Sequence, residues 1–345
     1  MSSLAWLSKK LEDGRIACEA CNQHCTLTEG EYGICGIRKV ENGELHLLTY
    51  GLAAAVNVDP VEKKPMFHFL PGSRVFSFGT VGCNFSCKFC QNADISQYPK
   101  EHNHDIVGQS LSPKKAVELA LEYGCESIAY TYNEPVVFFE YTYDTAKLAH
   151  EAGLKNIYVT SGYETHKAID TIAPYLDGMN IDIKGYSQSF YKDICGASLK
   201  PVLDTIEYAH KKGIWIETTT LLIPGLNDSD EEIRAIAQFQ ADLDPAMPWH
   251  ISAFHPMYKM LDRPRTPAST LRRAYDIGKE VGLKYVYVGN IDDESRESTY
   301  CPGCGGMVID RRGHIGQYVT NHLVKGNTCP YCATEIEGVW RYRRG

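Results

Sequence analysis

The chain has 345 residues, 43% of them hydrophobic, and a formal net charge of −8 at pH 7. This length suits one large domain with small additions, and the acidic balance argues against a nucleic-acid partner, which would need clustered Lys and Arg. The first fifteen residues lack the apolar core of a signal peptide, and no run reaches the roughly 18 apolar residues of a membrane span. We therefore expect a cytoplasmic protein without a membrane partner.

Thirteen cysteines in such a chain favour metal binding over disulfides. Two of them, Cys125 and Cys195, stand alone and are expected to be small buried residues, with a place near the active site as the alternative for Cys195. The other eleven form three groups: Cys18, Cys21, Cys25 and Cys35; Cys83, Cys87 and Cys90; and Cys301, Cys304, Cys329 and Cys332.

The first group lies in residues 1–50, which we expect to form a small metal-binding segment. Its spacing, C-x2-C-x3-C-x9-C, favours zinc, with an auxiliary iron–sulfur cluster as the alternative. His24 could replace one thiolate. Residues 51–73 follow and include "DPVEKKPMFHFLPG". They form either a linker or a substrate entrance, where Lys63 or Lys64 would meet an anionic substrate.

Residues 74–294 alternate strand-like and helix-like segments. Ser112 before Pro113, and Ser229 before Glu232, are helix-start signals. Six strand–helix units and a trailing strand predict a parallel sheet wrapped by helices, either a partial barrel or a doubly wound sheet. The predicted strands are 74–81, 127–132, 156–162, 178–185, 214–225, 249–254 and 284–289, and the predicted helices are 112–124, 136–152, 166–176, 201–213, 229–243 and 267–282.

The predicted strands end in polar residues, and chemistry in α/β proteins gathers at strand ends. An internal ion pair between Asp182 and Lys184 is the alternative for one strand, although burying charges is costly. Taken together, the strand ends predict a polar cleft at one mouth of the sheet. The residues concerned are Glu134, Thr160, Ser161, Asp182, Lys184, Glu217, Thr219 and His255.

The second cysteine group, C-x3-C-x2-C, directly follows the first strand of the alternating region. Zinc and cubane iron–sulfur sites usually take four thiolates, so three would leave one iron open to a substrate or cofactor. The alternatives are a zinc site completed by a distant residue and a ferredoxin-like carrier with a remote fourth cysteine.

"GCNFSCKFCQN", together with "YNEP", "VTSG", "DIK", "IPGLND" and "FHP", resembles the radical S-adenosylmethionine (SAM) superfamily over residues 74–290. Within it the match is to glycyl-radical activating enzymes such as pyruvate formate-lyase activase. The whole chain resembles the radical SAM enzyme of the AmmeMemoRadiSam system through "CTLTEGEYGICGIR", "DPVEKKPMFHFLPG" and the "GVW" that follows "CPYC".

This resemblance implies a partial (β/α)6 barrel with a [4Fe-4S] cluster on Cys83, Cys87 and Cys90. It also implies reductive cleavage of SAM to a 5′-deoxyadenosyl radical, a low-potential electron donor of the ferredoxin or flavodoxin type, and association with Memo-like or AMMECR-like proteins. The implied SAM contacts are Glu134, Thr160, Ser161, Asp182, Lys184 and His255.

Residues 295–345 carry the third cysteine group as "CPGC" and "CPYC". This is zinc-ribbon spacing and favours zinc, with iron or no metal as alternatives.

The leading hypothesis is a radical SAM enzyme with a small-molecule substrate. A glycyl-radical enzyme activase acting on a protein glycine is the alternative. A non-catalytic iron–sulfur redox sensor or electron carrier is the hypothesis from another class, and the polar strand ends argue against it.

Overall fold

The computed structural model describes residues 3–313 and 317–341. The chain begins with short antiparallel strands around the first cysteine group. They form two three-stranded sheets, in the orders β1-β6-β5 and β2-β3-β4. The strands are β1 (Ser3–Leu4), β2 (Ser8–Lys10), β3 (Ile16–Cys18), β4 (Thr26–Leu27), β5 (Arg38–Glu41) and β6 (Glu44–Leu47).

An eight-stranded sheet forms the centre of the molecule, and β7 (Leu52–Ala53) pairs with β10 (Gln109–Ser110) beside it. The central strands are β8 (Ala55–Pro60), β9 (Arg74–Gly79), β11 (Ser127–Tyr130), β12 (Lys155–Thr160), β13 (Gly178–Asp182), β14 (Trp215–Leu222), β15 (Trp249–Ala253) and β16 (Val286–Gly289). From β9 to β16 they are parallel and neighbours follow chain order. The order never reverses, as it must in a doubly wound sheet, so the partial (β/α)6 barrel is confirmed.

Among the described residues, six helices of seven or more residues alternate with these strands, as the sequence predicts. Ser112 Oγ accepts from Lys115 N, and Ser229 Oγ accepts from Glu232 N, both at 3.2 Å, which confirms the two predicted helix starts. The helices are α1 (Ala93–Ser96), α2 (Tyr98–Glu101), α3 (Pro113–Glu122), α4 (Phe139–Glu151), α5 (His166–Ile172), α6 (Gln188–Phe190), α7 (Leu199–Lys211), α8 (Asp230–Leu243) and α9 (Ala268–Val281). A π-helical turn at Tyr191–Cys195 and 3-10 turns at Val61–Lys63, Pro135–Phe138 and Glu294–Arg296 complete the set.

Residues 55–70 do more than link two units. Strand β8 pairs antiparallel with β9 and forms one edge of the central sheet. The chain then crosses the amino ends of the strands, where Phe67 N and His68 N each donate to the Glu217 carboxylate at 2.8 Å. The segment therefore closes the barrel interior on that side.

The two cysteine-rich ends of the chain differ in how they join the barrel. Buried N-terminal residues such as Ile16 and Leu45 belong to the same hydrophobic core as the barrel. The C-terminal end has a separate small core around Val308 and Ile309, against Tyr285 and Tyr287 of the barrel. Its strands are β17 (Thr299–Tyr300), β18 (Met307–Arg312) and β19 (Tyr318–Asn321). Within the described residues, no helix is long and apolar enough to cross a membrane.

Candidate active site

The three cysteines that follow β9 line a cavity of about 430 Å³ at the carboxyl ends of the parallel strands. Backbone hydrogen bonds fix their loop. Ser86 N donates to Cys195 O at 2.9 Å, and Lys88 N donates to Ile194 O at 3.0 Å. The π-helical turn that carries these two carbonyl groups therefore holds the loop in place from behind.

The thiols of Cys83, Cys87 and Cys90 are largely shielded from solvent. Cys83 and Cys87 are buried, and burial raises the pKa of Cys83 and Cys90. The Cys195 thiol lies beside Cys87 and, together with burial, raises the pKa of Cys87. Cys195 does not line the cavity, and no other described cysteine does. Three thiols that ionise poorly alone but open on one cavity fit a [4Fe-4S] cluster with one open iron.

An ion pair forms part of the cavity wall next to this loop. Lys184 Nζ lies 2.7 Å from Asp182 Oδ2, and both residues line the cavity. Although burial works against it, the Asp182 carboxylate raises the pKa of Lys184, which stays charged. The ion pair therefore faces the cavity and is not enclosed in the protein core. It offers one positive and one negative charge to a zwitterionic ligand.

Thr160 and Ser161 line the cavity at the end of β12, and both donate hydrogen bonds to Glu134. Thr160 Oγ1 donates to Glu134 Oε1 at 2.6 Å, and Ser161 N donates to Glu134 Oε2 at 2.8 Å. Glu134 is 0% exposed and is not part of the cavity wall. This carboxylate already accepts hydrogen bonds from the neighbouring loop. The predicted contact between Glu134 and SAM stays a prediction.

A second buried carboxyl group shares the Thr160 hydroxyl. Thr160 Oγ1 also lies 2.7 Å from Glu164 Oε1, yet a hydroxyl has one hydrogen. Burial and the nearby Glu134 carboxylate raise the pKa of Glu164 to about 8. Glu164 is therefore protonated near neutral pH and donates to Thr160, which in turn donates to Glu134.

The histidine on the cavity wall is His250 and not the predicted His255. His250 lies in β15, and its Nε2 is 2.7 Å from Glu217 Oε2. Glu217 is fully buried, whereas Thr219 of the same strand reaches the cavity. His255 follows the end of β15, so its predicted contact with SAM stays a prediction.

Several cavity residues were not predicted from the sequence. Asn133 is adjacent to Glu134 in "YNEP", and its Nδ2 donates to Gly82 O at 2.7 Å, which links it to the cysteine loop. The sequence held a signal for His250 and Ser252, because alternate residues of β15 share one face of the strand. The unpredicted lining residues include Gln97, Thr131, Asn133, His250, Ser252, Asn290 and Glu297.

The two cysteine quartets differ in geometry. Within residues 3–313 and 317–341, Cys301, Cys304, Cys329 and Cys332 are the one group of metal-ligand side chains whose ligand atoms all lie within 4.8 Å of one another. This arrangement fits a tetrahedral metal site such as zinc. The N-terminal quartet instead lines a second, smaller cavity, together with Arg38 and Asn84.

Comparison with known proteins agrees with this architecture. The Radical SAM superfamily profile matches residues 78–239. The uncharacterized protein MJ0808 of Methanocaldococcus jannaschii is 42% identical over 334 residues, which are 96% of this chain and 98% of that protein. A pyruvate formate-lyase-activating enzyme of Clostridium pasteurianum is 24% identical over 173 residues, covering 48% of this chain and 69% of the enzyme.

Among solved structures, a radical SAM methyltransferase from Sphaerobacter thermophilus superposes with a TM-score of 0.51 at 17% sequence identity, over 69% of this chain and 71% of that one. The fold, the cysteine loop and the profile together identify a radical SAM superfamily domain in this chain. Within that superfamily, the chain belongs to one family with the Methanocaldococcus jannaschii protein.

Proposed function

We propose that this protein is a radical SAM enzyme that acts on a small molecule. One observation carries the proposal: Cys83, Cys87 and Cys90 share a single cavity with the Asp182–Lys184 pair and with Thr160 and Ser161. An electron carrier would need the cysteines alone. A pocket that joins an incomplete ligand set to paired charges suits a bound amino-acid cofactor.

When bound, the [4Fe-4S] cluster and SAM supply the reductive cleavage that generates a radical able to abstract hydrogen from a substrate. Lys184 would pair with the SAM carboxylate, and Asp182 would accept from the SAM amino group. Thr160 and Ser161 contact the rest of the cofactor from β12. The residues of this chain would thus bind and orient the cofactor at the cavity wall.

The far side of the cavity supports a small substrate with an anionic group. Lys63 and Lys64 both line it, and Lys64 is buried, with its ammonium 3.0 Å from Asp59. His250, Asn290 and Glu297 add further polar groups to the cavity wall. A volume of about 430 Å³ lies in the range of small-molecule sites.

The second candidate is a glycyl-radical enzyme activase. It is favoured by the similarity to the pyruvate formate-lyase-activating enzyme of Clostridium pasteurianum. Either function needs a low-potential electron donor of the ferredoxin or flavodoxin type. Memo-like and AMMECR-like proteins are the partners that we propose.

Deuterium transfer separates the two candidates. The reconstituted, reduced protein is incubated with SAM and deuterated small anionic metabolites, or with glycine-deuterated candidate partner enzymes. Deuterium in 5′-deoxyadenosine from a small molecule supports our proposal. Deuterium from a protein glycine alone would overturn it in favour of the activase.

A further inference from the structure

The N-terminal cysteine quartet lies directly behind the catalytic cysteine loop. We propose that Cys18, Cys21, Cys25 and Cys35 bind an iron–sulfur cluster, and that this centre is electronically coupled to the site at Cys83, Cys87 and Cys90. The assignment of the cluster stands on geometry alone. Its use as an electron-entry point rests on the proposed function.

The distances between sulfur atoms distinguish the N-terminal quartet from the zinc-like C-terminal quartet. A zinc ion with bonds of about 2.3 Å to sulfur holds its four thiolates roughly 3.8 Å apart. In the C-terminal quartet, all four sulfurs lie within 4.8 Å of one another. In the described part of the chain, the sulfurs of the N-terminal quartet do not meet this limit. A cubane keeps its thiolates further apart because each one ligates a different iron. The N-terminal sulfurs surround a cavity, as cluster ligands do.

An unpaired donor points to a ligand in that cavity. Asn84 is 1% exposed, and its Nδ2 makes no well-aligned hydrogen bond among the described residues. Asn84 lines the cavity with the four cysteines, next to the Cys21 thiol. A buried amide without an acceptor is costly, and the thiolate or sulfide sulfur of a cluster would satisfy it.

Two further donors already face the sulfurs. Arg38 Nη1 lies 3.9 Å from Cys18 Sγ, and Ile34 N donates to Cys25 Sγ at 3.5 Å. Arg38 is buried, and its guanidinium is held 2.7 Å from the Glu140 carboxylate. The Arg38–Glu140 ion pair thus presents its positively charged end to the Cys18 sulfur. Hydrogen bonds to cluster sulfurs also tune a reduction potential.

The quartet touches the catalytic loop at two points. A Cβ on Gly82 would lie 2.7 Å from Cys35 O, so the two loops are in backbone contact there. Two residues further on, Asn84 Oδ1 is 3.8 Å from the Cys83 sulfur, and Gln23 Nε2 donates to Asn84 O at 2.7 Å. Asn84 thus lies between Cys21 of one group and Cys83 of the other.

This contact provides a route for one electron. Cys21 and Asn84 connect the quartet to Cys83 within the protein. A one-electron donor of the ferredoxin or flavodoxin class would be oxidised by one electron, and a cluster held by the trio would be reduced by one. The quartet centre gains and then loses that electron, so it shows no net change.

Metal content of the anaerobically reconstituted chain tests the assignment. We expect about eight irons and one zinc in the unaltered protein, which corresponds to two cubanes and one ribbon site. A variant with Cys83→Ala, Cys87→Ala and Cys90→Ala should keep about four irons and one zinc. If it holds about two zincs and no iron, the proposal is overturned.

A second variant guards against misfolding of the first. Cys21→Ser with Cys35→Ser should lose about four irons and keep the zinc. Loss of one zinc with unchanged iron would overturn the assignment. This outcome differs from a failure of the proposed function, in which the iron counts stand but SAM is not cleaved.

Electron paramagnetic resonance tests the coupling. The dithionite-reduced protein should show spin–spin broadening that is absent from both variants. A spectrum equal to the sum of the two variant spectra would overturn the coupling.

Discussion

At the scale of single residues, the proposed recognition of SAM depends on Lys184. Its ammonium is held by Asp182 at 2.7 Å on the cavity wall, and its backbone N–H donates to Tyr191 OH at 3.0 Å. The side chain is therefore charged and fixed in place before any ligand arrives. Such preorganisation lowers the cost of binding.

Lys184→Met should weaken SAM binding to the cluster-loaded protein about ten- to hundredfold. The variant removes a hydrogen bond to a charged group, worth about 1.5–3 kcal/mol. Equilibrium dialysis with labelled SAM measures the change. The control is Lys192→Met, because Lys192 is exposed and does not line the cavity. Equal affinity of the two variants would contradict this role for Lys184.

Cys195 is the residue that could complete a four-cysteine site next to Cys87. It lies behind Cys87 and outside the cavity wall. We expect Cys195→Ser to keep all of its reconstituted iron, whereas Cys87→Ser should lose about four irons. Iron analysis decides between them, and loss of iron from Cys195→Ser would make Cys195 a ligand.

The protonated Glu164 makes stability depend on pH. Its pKa is raised by burial to about 8 in the folded chain, so between its ordinary value and about 8 the folded state binds more protons than the unfolded state. Stability should therefore fall as the pH rises across that window, by at most about 1.4 kcal/mol per pH unit. Glu164→Gln keeps a donor for Thr160 and should flatten this slope.

Thermal midpoints at pH 6 and pH 8 measure the effect of Glu164→Gln. Glu151→Gln is the control, because Glu151 is an exposed residue at the end of α4. The control should keep the pH dependence of the unaltered protein. An unchanged slope in Glu164→Gln would show that this carboxyl group is ionised in the folded chain.

At the scale of elements, the cysteine loop depends on close contact with the N-terminal strands. Gly82 precedes Cys83 with φ of +92°, and a Cβ there would meet Ile37 Cγ2 at 2.5 Å. A side chain would thus strain the backbone and separate the two loops. The glycine in "VGCN" is needed for both reasons.

Gly82→Ala should lower stability by about 2 kcal/mol or more, since overpacking adds to the cost of a positive φ. Gly124→Ala is the matched control, with φ of +65° and no atom within 4 Å of the added Cβ, and should lose only about 1 kcal/mol. Thermal midpoints of the reconstituted proteins compare the two. Equal losses would contradict a close contact at Gly82.

The elements of the barrel could be predicted because each has a strong local signal. The buried strand β11 follows α3, a helix that begins at a clear N-cap, and both the apolar run and the cap are local signals. Strand β8 was missed because Ala55–Pro60 is half-exposed at a sheet edge, alternates apolar and polar residues over only four positions and ends in a proline. The contact of residues 67 and 68 with Glu217 was missed because it joins positions about 150 apart in the chain.

The candidate site was predictable in part for the same reason. The three cysteines, Asp182 and Lys184 all line the cavity, since strand alternation and loop spacing define their positions. Glu134 does not line it, because Tyr132 has φ of +73° and the chain turns so that Asn133 faces the cavity. Such a turn at a non-glycine residue leaves little trace in the sequence.

At the scale of the whole molecule, three cysteine groups have three different settings. The trio opens on the barrel cavity, the N-terminal quartet shares the barrel's hydrophobic core, and the C-terminal quartet sits on a small core of its own, with Cys304 and Cys332 exposed. Burial in the barrel core and contact with the cysteine loop thus distinguish the N-terminal quartet from the peripheral, zinc-like C-terminal quartet. Their different surroundings agree with different roles.

The most direct test of the account is reductive cleavage of SAM. The anaerobically reconstituted protein is mixed with dithionite and SAM, and 5′-deoxyadenosine is measured by chromatography and mass spectrometry, with the Cys87→Ser variant in parallel. We predict release of 5′-deoxyadenosine by the unaltered protein and none by the variant. No release from the unaltered protein while its iron content is intact would contradict the account.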